Sequence, residues 1–192
     1  MTSADCVGSN EIRQTNPAPG AVAPGGLPGV VLGAPGARDG AAIHRLVDAC
    51  KPLDVNSIYA YLLLCEHFAE TCVRAERSGR TVGFISAYRP PQKAEVIFVW
   101  QVAVAEEVRG QGLARAMLHE LLSRPALRGC RYLETTVSPS NEASRRLFDG
   151  FAREVRAPVT EQILFCEQDF GGENHEQEVL IRIGPFAGET FL

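Results

Sequence analysis

No run of apolar residues in this 192-residue chain approaches the roughly 20 needed to cross a bilayer. Six cysteines are present, but no two stand at C-x-x-C spacing, so neither a zinc site nor a dithiol redox motif is expected. They read as small core residues or free thiols of a reducing compartment. Basic charge is not in excess: 19 Lys and Arg face 23 Asp and Glu, giving a net charge of −4. A pI near 5.6 argues against a dedicated nucleic-acid surface. The opening MTSADCVGSNE has no basic region followed by an apolar stretch, so it does not read as a secretory signal, and the cytoplasm is the expected location. Internal repeats are also absent, and tryptophan occurs once, at Trp100.

Gly, Pro, Ala, Ser and Asn dominate Met1–Pro28 without periodicity. Such a segment cannot bury enough apolar surface to offset its ordering entropy, so residues 1–28 read as a disordered tail. Residues 29–192 then form a single domain, long enough for a substantial core. Val30-Val31-Leu32 reads as a short strand, and Pro35-Gly36 as a turn. Asp39 is placed to cap a helix over Gly40–Cys50, whose Ile43, Leu46 and Val47 share one face. Lys51–Ser57 breaks that helix, and Ser57 caps the next, Ile58–Glu70. Strands are expected at Val73–Glu76, Thr81–Tyr88, Val96–Val104, Arg131–Val137, Gln162–Gln168 and Glu178–Ile183, with helices at Gly112–Ser123 and Glu142–Phe151. This order describes an α/β (α+β) fold, a mixed central sheet of about six to seven strands flanked by helices.

The chain is organised around Glu95–Arg124, EVIFVWQVAVAEEVRGQGLARAMLHELLSR. A strand rich in β-branched and aromatic residues enters a glycine-rich turn, and the turn opens an amphipathic helix. Backbone N–H groups collect there at the positive end of the helix dipole, which suits a phosphate or pyrophosphate. A P-loop would require Lys-Ser/Thr after the last glycine, where Leu113-Ala114 stand. A dinucleotide fingerprint fits Gly110 and Gly112, but Arg115 occupies its sixth position. A third pattern, Arg/Gln-x-x-Gly-x-Gly/Ala, is met by Arg109, Gly112 and Ala114.

That third pattern resembles the acetyl-CoA loop of the GCN5-related N-acetyltransferases (GNATs), and VWQVAV resembles their central strand. Asn141, with Ala143, Leu147, Phe148 and Gly150-Phe151, resembles the helix opening that touches the cofactor in that family. Many members carry a tyrosine general acid at the position of Phe148, so none is expected from this helix. Longer segments resemble the diaminobutyrate acetyltransferases of ectoine synthesis. They include Leu53-Asp54-Val55-Asn56-Ser57, Tyr88-Arg89-Pro90-Pro91, Phe98-Val99-Trp100-Gln101-Val102, Leu133-Glu134-Thr135-Thr136-Val137 and His175-Glu176-Gln177-Glu178. The likeness runs from about Val30 to Gly184.

The resemblance implies acetyl transfer from acetyl-CoA to the 4-amino group of L-2,4-diaminobutyrate, without a metal, in a homodimer that engages neither nucleic acid nor membrane. Acetyl-CoA would be held by Val102, Ala103, Val104, Arg109, Gly110, Gln111, Gly112, Leu113, Ala114, Asn141 and Ser144. Asp54, Asn56, Trp100, Thr135, His175 and Glu178 would line the substrate site. The reacting amine must lose a proton, for which Glu178 and Asp54 are candidates, and the Val102 N–H is the candidate oxyanion donor. Plainer roles remain open: a helix cap for Asn141 or Asp54, an exposed edge for Glu178, the core for Trp100. So do two other functions, acetylation of a different small amine and non-catalytic sensing of acyl-CoA.

From its composition the tail is expected to be dispensable. Deleting Met1–Pro28 should leave the melting temperature and the acetyl-transfer rate nearly unchanged, as read by calorimetry and a thiol-release assay; a loss of several degrees would show that it packs on the domain.

Overall fold

The computed structural model describes residues 27–172 and 175–186. The element order is β1 (Val30–Gly33), α1 (Gly40–Asp48), α2 (Ile58–His67), β2 (Val73–Arg77), β3 (Arg80–Tyr88), β4 (Val96–Val104), α3 (Leu113–Leu122), β5 (Tyr132–Val137), α4 (Glu142–Glu154), β6 (Val159–Phe165) and β7 (Glu178–Ile183). The strands form one seven-stranded sheet in the order β1-β2-β3-β4-β5-β7-β6. The β4–β5 pair is parallel and the other pairs are antiparallel. The mixed α/β sheet expected from the sequence is thus present.

Both faces of the sheet are covered, because the central strands carry apolar residues at both parities. On one face α3 and α4 send Met117, Leu118, Leu121, Phe148 and Phe151 into a core with Ile85, Ile97, Val99, Leu133 and Ile181. On the other, α1 and α2 pack Ile43, Val47, Tyr61 and Leu64 against Phe84 and Ala103. Each such large side chain, fully buried, stabilises the fold by about 1.5–3 kcal/mol. The two helices of the second face meet at Gly40, where an added Cβ would lie 2.8 Å from Leu62 Cδ2.

Two irregularities shape the middle of the sheet. The β4–β5 ladder runs from Val96↔Tyr132 to Val99↔Thr135 and then stops. Opposite β3, Ala87 pairs with Val99 and Ser86 with Gln101, so Trp100 is an extra residue in β4, a bulge. The bulge changes which parity faces which core. Ile97 and Val99 belong to the α3/α4 core, and beyond the bulge it is Val102 and Val104 that pack against it. Ala103 faces the α1/α2 core instead.

Several sequence expectations are corrected. Asp39 precedes α1, but its side chain does not cap that helix. Its carboxylate accepts from the Gly36 N–H at 2.8 Å and pairs with Arg74 at 3.3 Å. Strand β6 lies three residues earlier than expected, because the Cys166 N–H turns onto the Asp169 carboxylate and starts the 3-10 turn Glu167–Phe170. Helix α4 continues past Phe151 to Glu154. Of the expected tail, residues 1–26 lie outside the described residues, while Leu27 packs against the core and accepts from the Val30 N–H. Residues 187–192 of the expected domain also lie outside the described residues.

Close packing at Gly83 holds α3 against the sheet. A Cβ there would stand 2.9 Å from Met117 Sδ and 3.1 Å from Ala75 Cβ. Gly83→Val is expected to cost about 1–3 kcal/mol of stability by overpacking, measured by urea unfolding; an unchanged midpoint would show that α3 shifts freely.

Candidate active site

Where β4 and β5 part, a cavity of about 680 Å³ opens between the ends of β4, α3 and α4. Its donors follow from strand geometry. The N–H of Gln101 donates to Ser86 Oγ and that of Ala105 to Val82 O, both toward β3. N–H groups along a strand alternate in direction, so those of Val102 and Val104 point toward the gap left by β5. The Val104 carbonyl, facing the same way, accepts from Cys50 Sγ at 3.3 Å and from Arg109 Nε at 2.9 Å.

The glycine turn forms the next wall. Gly110 and Gly112 have φ of 72° and 85°, in the left-handed region that a Cβ disfavours. No atom comes within 4 Å of where either Cβ would be, so the backbone is bare toward the cavity. Gly112 is the N-cap of α3, whose first turn holds no acidic residue. The N–H groups of that turn have no partner within the helix. Helix α4 presents its N-terminus to the same space through Asn141, Ala143 and Ser144. Asn141 Oδ1 accepts from the Ser144 N–H at 3.1 Å, so the residue caps the helix while its Nδ2 remains available to a ligand. Two helix N-termini and the cationic side chains of Lys51, Arg109, Arg115, Arg146 and Arg153 converge on one cavity. That donor set suits a polyanion such as the phosphates of coenzyme A.

Of the residues expected to hold the cofactor, Val102, Val104, Arg109, Gly110, Gly112, Leu113, Ala114, Asn141 and Ser144 line the cavity. Ala103 is fully buried on the opposite face of β4. The Gln111 side chain is exposed and folds back to donate to Glu107 O. Sequence reasoning missed the wall made by Cys50, Lys51, Pro52 and Leu53, and the arginines of α4. The α4 face was legible as Ala143, Leu147 and Gly150, at i, i+4 and i+7, with Arg146 and Arg153 beside it.

Of the candidate substrate residues, Asp54 and His175 lie close enough to Glu178 to act on its charge. Its carboxyl group is half-buried, and burial raises its pKa above the ordinary glutamate value. A hydrogen bond from Thr136 and the nearby His175 oppose the shift, while the Asp54 and Glu176 carboxylates add to it. His175 stacks on Phe170 with ring centroids 3.9 Å apart, and Glu176 accepts from the Ser140 N–H. Asp54 and Asn56 sit on the turn before α2. Trp100 is 45% exposed, which separates it from the core. Thr135 is buried between Val99 and Ile181. Its parity is that of Leu133 and Val137, on the α3/α4 face, so its neighbour Thr136 is the threonine on the Glu178 side.

Cys65, Cys72 and Cys130 are not prepared for nucleophilic work, since burial raises each thiol. Burial pushes the Cys65 thiol up to about 12 and the Cys72 thiol to about 11. A thiol held neutral is a poor nucleophile, in keeping with direct attack by an amine. Phe148 is enclosed in the α3/α4 core and puts no hydroxyl into the cavity. Among the described residues there is no group of three or more His, Cys, Asp or Glu able to hold a metal ion, and no helix long and apolar enough to cross a membrane.

Comparison with known proteins decides the family. Residues 41–151 match the acetyltransferase (GNAT) family. The L-2,4-diaminobutyric acid acetyltransferase of Bordetella parapertussis is 58% identical over 153 residues, 79% of this chain and 82% of that protein. The chain belongs to the GNAT acetyltransferases, among the L-2,4-diaminobutyric acid acetyltransferases. Its counterpart from Methylotuvimicrobium alcaliphilum is 44% identical over 160 residues, 83% of this chain and 93% of that one. The solved diaminobutyrate acetyltransferase EctA from Paenibacillus lautus, in complex with its substrate L-2,4-diaminobutyric acid and coenzyme A, is 49% identical. It superposes with a TM-score of 0.80 over 83% of this chain and 97% of that one.

Gly112→Val would force a branched residue into a left-handed backbone and cover N–H groups that face the cavity. Coenzyme A affinity should fall at least about tenfold, near 1.4 kcal/mol. Titration calorimetry checks this, and unchanged affinity removes the loop from phosphate binding.

Proposed function

We propose that the chain transfers the acetyl group of acetyl-CoA to the 4-amino group of L-2,4-diaminobutyrate, the step that its resemblances assign to ectoine synthesis. The observation that carries this reading is a pair of acidic side chains, Asp54 and Glu178, near one another beyond the open edge of β4. A diamino acid brings two ammonium groups, and a site that anchors one and deprotonates the other needs anions of this kind.

In the proposed mechanism Glu178 accepts a proton from the γ-ammonium. Its raised pKa brings it closer to working pH than an ordinary glutamate, which suits a general base. The neutral amine attacks the acetyl carbon. As the C–N bond forms, negative charge develops on the acetyl oxygen, where the Val102 N–H donates. Collapse breaks the C–S bond, the nitrogen gives up its remaining extra proton to solvent to leave a neutral amide, and the CoA thiolate takes a proton from solvent, since Phe148 offers none. Asp54 anchors the α-ammonium, with Asn56, Trp100, His175 and Thr136 around it.

Two further readings are part of the proposal. Copies of the chain pair as a homodimer, supported by the exposed Val159, Ile163, Leu164 and Phe165 on edge strand β6. The enzyme works in the cytoplasm, supported by free Cys50, Cys65, Cys72, Cys130 and Cys166.

The test is product analysis with diaminobutyrate and acetyl-CoA, assigning the acetyl position by NMR; absence of N4-acetyl product sinks the proposal. Asp54→Asn and Glu178→Gln then separate the roles. Loss of an anchor should raise KM and allow some α-acetylated product, whereas loss of a base should lower kcat, by roughly a hundredfold or more. The sign of the pH effect follows from the raised pKa. Glu178 serves only when ionised, so its contribution to the acid limb of kcat/KM lies above the ordinary glutamate range, and Glu178→Gln should remove it. Wild-type kinetics and pure γ-acetylation in both variants exclude both carboxylates from the site.

A further inference from the structure

Behind the proposed substrate residues lies a buried polar circuit. Tyr61, on α2, is fully buried, with its ring edge-on to His44 at 5.8 Å and to Phe84 at 6.4 Å. Its hydroxyl lies 3.4 Å from the Asn56 N–H and 3.2 Å from Gln101 Oε1. Gln101, 5% exposed, directs Nε2 to the Asp54 carbonyl at 2.7 Å, and its own N–H goes to Ser86 Oγ at 3.2 Å.

Proton counting fixes every orientation in this circuit. A backbone N–H can only donate, so the Tyr61 hydroxyl accepts from Asn56 and must give its single proton to Gln101. The amide oxygen of Gln101 is thereby assigned, and its NH₂ faces the one remaining partner, a carbonyl that can only accept. The turn is gripped at both ends, at residue 54 through its C=O and at residue 56 through its N–H. The gripping residue on the sheet stands between the bulged Trp100 and Val102.

We propose that Tyr61 and Gln101 are positioning residues for the amine substrate, clamping the Asp54–Asn56 turn onto β4 so that the substrate anion and the oxyanion donor share one rigid frame. This rests on the reading that Asp54 meets the substrate. Neither Tyr61 nor Gln101 lines the cofactor cavity. Only their neighbours Leu53 and Val102 do, so the clamp acts chiefly on the amine side and coenzyme A binding depends on it little.

The test uses the full-length protein. Tyr61→Phe removes one oxygen and leaves the ring in place. It should raise KM for diaminobutyrate about fivefold or more while Kd for coenzyme A, by calorimetry, stays within about twofold. Gln101→Glu supplies a signature that packing alone cannot. Protonated, the glutamic acid keeps both a donor and an acceptor; ionised, it loses the donor and sets a charge against the Asp54 carbonyl. Its KM, taken relative to wild type at each pH, should climb as pH rises. Wild-type KM at all pH values in both variants, beside damaged kinetics in Asp54→Asn, overturns the clamp and leaves the Asp54 reading standing. Equal weakening of coenzyme A in both variants also overturns it, because the effect would then be general loosening. Wild-type kinetics in Asp54→Asn remove the reading beneath the clamp, and the clamp with it.

Discussion

Everything at this site depends on two parallel strands that stop pairing. Past Val99 and Thr135 β4 stays paired with β3 but loses β5, and the N–H and C=O groups on that open edge must find other partners. The fold answers part of that demand with its own side chains. Cys50 and Arg109 both satisfy the Val104 carbonyl. The Val102 and Val104 N–H groups are left facing the opening. Unpaired backbone donors are costly when buried and useful when a ligand arrives, so the gap is at once an expense of the fold and the reason a thioester can be bound there.

Charge is divided on either side of that gap. Cations and helix N-termini collect around the cavity at the end of β4, while carboxylates collect around Glu178. In the proposed mechanism a polyanionic cofactor and a diamino acid of net positive charge would approach from different sides of one strand, with the peptide N–H groups of β4 between them. Burial at Glu178 adds to the division, since a carboxylate whose pKa is raised is a stronger base than an ordinary glutamate.

Much of this was legible from the sequence because it depends on local signals. Periodicity locates the helices, and the turn glycines mark a candidate anion-binding loop. What escaped reading depends on distant partners. Asp39 looks like a cap, yet Arg74, from another strand, takes its carboxylate. Strand β6 was misplaced because it has no buried face, and without burial there is no alternation to read. The choice between Thr135 and Thr136 turns on a parity that adjacent identical residues cannot disclose. Gln101 looked like any polar residue in a strand; its partners lie 40 and 47 positions away.

The bulge at Trp100 also has a bearing on how this chain can vary. One extra residue is accommodated there without disturbing the ladder on either side, because Ala87 still meets Val99 and Ser86 still meets Gln101. A deletion of Trp100 would close the bulge and leave Gln101 and Ala103 on their present face. A residue lost after the bulge has no such slack, and would turn every later side chain of β4 to the opposite face. In genetic terms the bulge is the one place where β4 can lose a letter and keep its reading frame.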